Sequence, residues 1–185
     1  MGSGLRWRVV SLQVVMVVVF AFIAGFMYWG ANFTHSYVHD ELVSQKISFP
    51  PAGAALLAKD YPNLDVQKWA GQKVTDGVGA EAFAKGYLGQ HLLDMGMTYS
   101  EASTASRAKP NDPKLAALVQ TIFRGETLRG LLLNAWGWWT VGTYALYAAI
   151  GMTVASAVVF LAFLYELFVA PKQAPSVVRG RQVAA

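Results

Sequence analysis

Two long apolar runs with a polar segment between them set the pattern of this chain. The first, Val9 to Ala31, holds 23 residues without a charge, and only Ser11 and Gln13 are clearly polar. At 1.5 Å per residue such a run crosses a hydrocarbon core of about 30 Å with some tilt. The second, Gly130 to Ala170, has Glu166 as its only charged side chain. A helix over its whole length would measure about 60 Å, roughly twice the hydrocarbon thickness, so only part of it can span. Residues 113 to about 136 are expected to form a helix outside the bilayer or in its interface, and about 141 to 168 the second transmembrane helix. Between them, Leu131, Leu132, Leu133 and Asn134 lead into Trp136, Trp138 and Trp139, with Arg124, Glu126 and Arg129 just before. Tryptophan has an apolar ring and an N–H that wants a partner, so the cluster is expected to mark the water–lipid boundary with the charges on its wet side.

The segment between the runs reads as helical. Thr34 to Gln45 has no strand alternation and no breaker before Pro50-Pro51, so it is expected to continue the first helix until the double proline ends it. A short helix over Gly53 to Lys59 and a turn at Tyr61-Pro62-Asn63 follow, and Lys68 to Gly79, with its glycines, reads as an extended or turning connection. A helix is expected from Ala80 to about Met95, with Phe83, Tyr87, Leu88 and Leu92 on an apolar face that needs cover. Thr98 and Glu101 fit a capping box for a short helix through about Ser103, and Ser106 to Pro110 reads as a polar linker. Asp112 and Pro113 then suit the N-cap and first turn of another helix. Its stripe of Leu115, Leu118, Val119, Ile122 and Phe123 is expected to pack on the 80–95 helix. Gln173 to Ala185 is expected to be disordered.

Composition agrees with a membrane protein carrying a modest polar domain. Of 185 residues 55% are hydrophobic and 14% charged, and the mean hydropathy is +0.35, above that of an average soluble domain. The chain has no cysteine, which excludes disulfides, thiolate metal sites and cysteine nucleophiles. Arg6 and Arg8 flank the first run as they would in a signal peptide. The run is longer than such a segment, however, and Trp29-Gly30-Ala31 puts tryptophan where cleavage needs a small side chain, so an uncleaved anchor is expected. Lys and Arg number 2 before the first run, 10 between the runs and 3 after the second (Lys172, Arg179, Arg181), while 10 of the 11 acids lie between. By the positive-inside rule both termini are expected in the cytoplasm and the segment between the runs outside. The resulting domains are a cytoplasmic N-terminus at 1–8, a transmembrane helix at 9–31 and an extracytoplasmic, mainly helical domain at 32–136. A second transmembrane helix with its aromatic belt follows at 137–169, then a basic cytoplasmic tail at 170–185. The net charge of +4 thus reports topology and contact with anionic lipid in a plasma (inner) membrane. No basic and aromatic array of the nucleic-acid-binding kind is present.

Candidate chemistry is sparse. His35 and His39 project from one helical face and His91 lies elsewhere in the domain, so zinc or copper binding by the three is the one metal possibility, and no other cofactor is expected. The pair lacks the glutamate of a His-Glu-x-x-His motif. Arg124 and Arg129 suit a lipid phosphate, or a carboxylate such as Asp40 or Glu41, and Glu126 can reach Arg129 along the helix. Glu166, near its helix end, is placed to snorkel or meet Lys172, and a lone acid makes no proton pathway. Ala145, Ala149, Thr153 and Ala157 recur every four residues, Gly151 pairs with Ala155, and Ala21 with Gly25 can answer them from the first span. Small residues at this spacing let helices approach, either within the chain or against a partner subunit or second copy. No phosphate-binding glycine loop, nucleophile elbow or carboxylate pair is found.

Several stretches together resemble a group of actinobacterial two-span membrane proteins of unknown function. They are Asp40 to Ile47, Ala70 to Val74, His91-Leu92, Gly96 to Glu101 and Phe123 to Arg129. The resemblance implies the same topology and an envelope location and adds no catalytic residues. Some members carry a ring-opening dioxygenase name, but such an enzyme needs an iron site and a closed cavity that these residues do not assemble. The sequence therefore predicts an all-α, two-span hairpin with an external helical domain. Its expected role is non-enzymatic, as an accessory or assembly subunit touching its partners through the outer domain and Trp136 to Trp139. Its rivals are a lipid or ligand site between the 80–95 and 113–129 helices using Arg124 and Arg129, and a metal site at His35, His39 and His91.

Overall fold

The structure, a computed structural model, describes residues 3–54 and 66–169. The short helix expected after Gly53, the Tyr61 turn and the tail from Gln173 lie largely or wholly outside those residues. The described chain is all-helical: α1 (Ser3–Gln45), a 3₁₀ turn (Gln67–Trp69), α2 (Gly77–Ala82), a π-helical segment (Phe83–Leu88), α3 (Gly89–Asp94), α4 (Tyr99–Ala108) and α5 (Pro113–Phe168). α1 and α5 are each long and apolar enough to cross a membrane. Only 11% and 6% of their most apolar windows are buried, which separates them from the core helices of a soluble protein. The chain divides into two compact units, one comprising the stretch up to Trp29 with that from Ala145 onward, the other Gly30–Tyr144.

In the first unit α1 and α5 pair through small side chains. Val10 and Ala24 on α1 are buried, as are Ala149 and Ser156 on α5. Two hydrogen bonds tie the helices: the Ser156 hydroxyl donates to the Val17 carbonyl at 3.3 Å, and Arg6 Nη2 donates to the Glu166 carbonyl at 2.9 Å. The Glu166 backbone therefore has a described partner on α1, whereas Lys172 lies outside the described residues.

The second unit has a core of its own. Val38 and Leu42 from α1 meet Phe49, Val66 and Val74 from the connection, Phe83 and Leu88 from the π segment, and Leu132 from α5. α1 ends at Gln45, ahead of the double proline, because Lys46 takes a left-handed conformation at φ 54° and turns the chain. The connection then folds on itself: Phe49 N–H donates to the Gln72 carbonyl at 2.8 Å, Val74 N–H to the Ile47 carbonyl at 2.9 Å, and Ser48 and Lys73 form an isolated antiparallel bridge.

The next helical stretch begins earlier than its apolar pattern predicts. Asp76 caps it, its Oδ1 accepting from Gly79 N at 2.7 Å, so Gly77 and Gly79 are helical and buried. They are glycines because of what lies against them. A Cβ on Gly77 would fall 2.2 Å from Trp139 Cβ, and one on Gly79 3.3 Å from the Trp69 ring. The Thr98–Glu101 capping box forms as expected, though α4 runs on to Ala108, with Arg107 donating to the Ser103 and Thr104 hydroxyls. Asp112 Oδ1 accepts from Lys114 N at 2.9 Å and Leu115 N at 3.3 Å, which starts α5 where the sequence places it. Ile122 is buried with Leu92 and Ala102, flanked by Leu118 and Val119, so the stripe packs on α3 and also on α4. Phe123 instead stays half exposed against Tyr99. α5 runs without a break through 136–141. Gly137 and Gly142 each cost a helix about 1 kcal/mol, too little to end one that is packed on both sides of them.

Candidate functional site

The predicted site residues all fall in the Gly30–Tyr144 unit, but nothing gathers them in one place. His35 on α1 is half-buried, its ring stacked on Trp139 at 4.1 Å between centroids. Its Nε2–H is directed at the Trp139 carbonyl at 3.0 Å and lies 3.2 Å from the Thr143 hydroxyl, which itself donates to that carbonyl at 3.0 Å. His39 is exposed and donates from Nδ1 to the Thr75 carbonyl at 2.8 Å. His91 is exposed on α3. Each of the α1 histidines thus has one nitrogen committed to a backbone oxygen. Among the described residues no group of three or more His, Cys, Asp or Glu side chains stands close enough to hold a metal. The three histidines are not brought together as a ligand set, since His35 faces α5 and His39 the connection before α2.

The tryptophans divide. Trp139 packs against the core and fills the space that Gly77 leaves. Trp136 is half-buried under Lys85, whose Nζ sits 4.3 Å from the ring centroid while pairing with Glu81 at 2.7 Å. A cation over an indole face gains on the order of 0.5–1 kcal/mol at an exposed site. Trp138 alone of the three is more than half exposed, and it lines a shallow groove with Phe33 and Tyr37. The aromatic cluster thus holds two packing residues and one outward ring.

The arginines also separate. Arg124 is exposed. Arg129 makes the expected pair with Glu126, Nη1 to Oε2 at 3.4 Å, and lines a cavity of about 320 Å³ with Leu92, Met97, Glu101, Ile122 and Glu126. This space lies between α3, α4 and α5, the location expected for a ligand between the 80–95 and 113–129 helices. The Arg129 Nε–H is buried there without an acceptor. Glu101 reaches the same cavity while its Oε2 accepts from Thr98 N and Thr98 Oγ1, each at 2.8 Å. Those two bonds, the backbone one first, hold its carboxyl below the usual glutamate range against a small opposing effect of desolvation. Thr98 and Glu101 are legible as a capping box from their spacing. Their approach to Arg129 is a tertiary fact with no sequence signal.

A second opening belongs to the paired apolar helices. It is a groove of about 860 Å³ whose lining includes Ala21, Gly25, Ala149, Thr153 and Ala157. Gly25 and Gly151 have nothing within 4 Å of a would-be Cβ. Ala24, Ala149 and Ser156 are buried and also line this groove, whereas Ala21, Gly25, Thr153 and Ala157 on the same lining are exposed.

Comparison with family models, with curated proteins and with solved structures finds no match. What the arrangement can do chemically rests on its own geometry. The described residues offer hydrogen-bond donors and acceptors around the Arg129 cavity and a cleft of small side chains.

Proposed function

We propose that this protein is a non-enzymatic two-span membrane protein that serves as an accessory or assembly subunit of a larger membrane complex. The observation that carries the reading is the open groove lined by Ala21, Gly25, Thr153 and Ala157. Apolar area alone does not hold helices together in lipid, because the tails are as apolar as the side chains. Close backbone approach at small residues does. A hairpin that buries only part of its small-residue surface has the shape to receive a transmembrane helix from another subunit. On this reading both termini are cytoplasmic, by the basic flanks at Arg6, Arg8 and Lys172, and the Gly30–Tyr144 unit faces outward with Trp138 and Arg124 on its surface. The resemblance of short stretches to the actinobacterial two-span group implies the same topology and envelope location.

The test is extraction of the tagged protein from its native membrane in mild detergent, followed by mass analysis of the intact assembly. A stoichiometric partner subunit is expected with the natural sequence. Its loss is expected with Gly25→Leu or Ala157→Leu, which fill the groove at exposed positions. Recovery of a lone chain or a simple homo-oligomer from the natural protein would refute the subunit reading.

A further inference from the structure

The cavity between α3, α4 and α5 has features that neither the packing of the domain nor the subunit reading uses. Arg129 is held on one edge by Glu126 at 3.4 Å, a long contact that leaves most of the guanidinium donors uncommitted. Its Nε–H is buried and faces no acceptor, although buried donors are nearly always satisfied. An atom buried so completely admits no ligand oxygen, so what the guanidinium offers the cavity is its Nη–H groups, which can donate to a phosphate. The opening is not purely cationic, however. Glu101 and Glu126 line it too, so two carboxylates oppose one guanidinium. A bare dianion would be repelled by this ring. Both hydrogen bonds of Glu101 are to its Oε2, and its Oε1 is left for a donor. The rest of the lining includes the apolar Leu92, Met97 and Ile122.

We infer that this cavity binds a zwitterionic group pairing a phosphate with a primary ammonium, the chemistry of phosphoethanolamine, with the phosphate on the Arg129 Nη groups and the ammonium on Glu101. The short hydrocarbon linker of such a group lies along Leu92 and Ile122. The primary ammonium matters because it donates hydrogen bonds to carboxylates, whereas the trimethylated ammonium of phosphocholine has no N–H. The same group occurs free or as the headgroup of a phospholipid, and a cavity of about 320 Å³ admits either.

The experiment titrates the purified, delipidated full chain in detergent with O-phosphoethanolamine, phosphocholine and inorganic phosphate by calorimetry. It then offers phosphatidylethanolamine or phosphatidylcholine in mixed micelles and reads lipid retention by intact mass. Saturable binding of one O-phosphoethanolamine per chain is expected, at least tenfold tighter than phosphocholine or phosphate. Arg129→Gln is expected to weaken it at least tenfold. Glu101→Gln, which keeps an acceptor for the Thr98 cap, is expected to weaken O-phosphoethanolamine while leaving the weak phosphate binding unchanged, and it serves as the test should Arg129→Gln lose its helical circular dichroism. Competition by phosphatidylethanolamine micelles assigns the site to a lipid headgroup, and its absence assigns it to a free ligand. Lack of saturable binding of both O-phosphoethanolamine and phosphatidylethanolamine, equal affinity for phosphocholine, or indifference to both substitutions would overturn the assignment.

Discussion

Replacing Gly77 by alanine tests how the Gly30–Tyr144 unit is held. The new Cβ would lie 2.2 Å from Trp139 Cβ, 2.4 Å from Cγ and 3.0 Å from Cδ1. Unstrained carbon atoms sit about 3.5–4.0 Å apart, so the overlap exceeds about 1 Å. The side chain cannot rotate out of the way, because the position of a Cβ is fixed by its own backbone and does not depend on χ1. Relief therefore requires α2 to move away from α5, or Trp139 to leave the core and its stack on His35. Overpacking of this kind costs about 1–3 kcal/mol, and the fixed obstacle puts the expected loss at about 2 kcal/mol or more. Alanine's helix preference returns at most about 1 kcal/mol. Gly130→Ala is the internal control: it is also helical, in α5, with nothing within 4 Å of its would-be Cβ, so the same substitution is expected to be neutral or to stabilise by up to about 1 kcal/mol. In thermal unfolding followed by circular dichroism in detergent, Gly77→Ala is expected to melt about 4–8 °C below the natural protein, and Gly130→Ala no lower than it. If Gly77→Ala melts with or above Gly130→Ala, α2 and α5 do not approach each other at Trp139 as closely as this packing requires.

Three further outcomes follow from named contacts. Asp76→Ala removes the acceptor for Gly79 N at 2.7 Å and is expected to cost about 1 kcal/mol in the same melting experiment. Glu101 has its carboxyl lowered by the Thr98 bonds, so its contribution is present above the unfolded-state value of about 4.3 and is lost as pH falls toward the lower folded value. Glu101→Gln, with no charge to lose, is expected to narrow its melting gap to the natural protein as pH drops below about 4.5, and a gap independent of pH would contradict the capping role. Ser156→Ala removes a 3.3 Å hydrogen bond to the Val17 carbonyl and is expected to cost about 0.6 kcal/mol, since bonds of this kind between membrane helices average little. A loss above about 2 kcal/mol, read by unfolding in detergent, would mean that the two helices depend on that bond and not on close packing of Ala24 and Ala149.

The two long helices were legible because an uncharged apolar run of membrane length is rare in a folded soluble domain, and the helix starts at Thr98 and Asp112 because caps are local chemistry. The pairing surfaces were not. Small residues recur visibly every four positions from Ala145 to Ala157, yet the buried positions follow a step of seven. In the first unit these are Ala149 and Ser156 on α5, seven apart, and Val10 and Ala24 on α1, fourteen apart. An α-helix has 3.6 residues per turn, so a seven-residue step keeps nearly to one face, whereas a four-residue row leaves the contact after two or three turns. Alanine and valine are common everywhere in an apolar run, and a period of seven among them carries no contrast to be seen. The packing of Trp139 was illegible for a related reason. A tryptophan beside an apolar run suits the lipid interface and suits a packed core, and its own neighbours in sequence do not decide between the two. Gly77 decides it, and that residue reads on its own terms as part of a loop. The glycine that looked like a breaker and the tryptophan that looked like a belt are the two sides of one close approach, so the meaning of each is visible only once the other is in place.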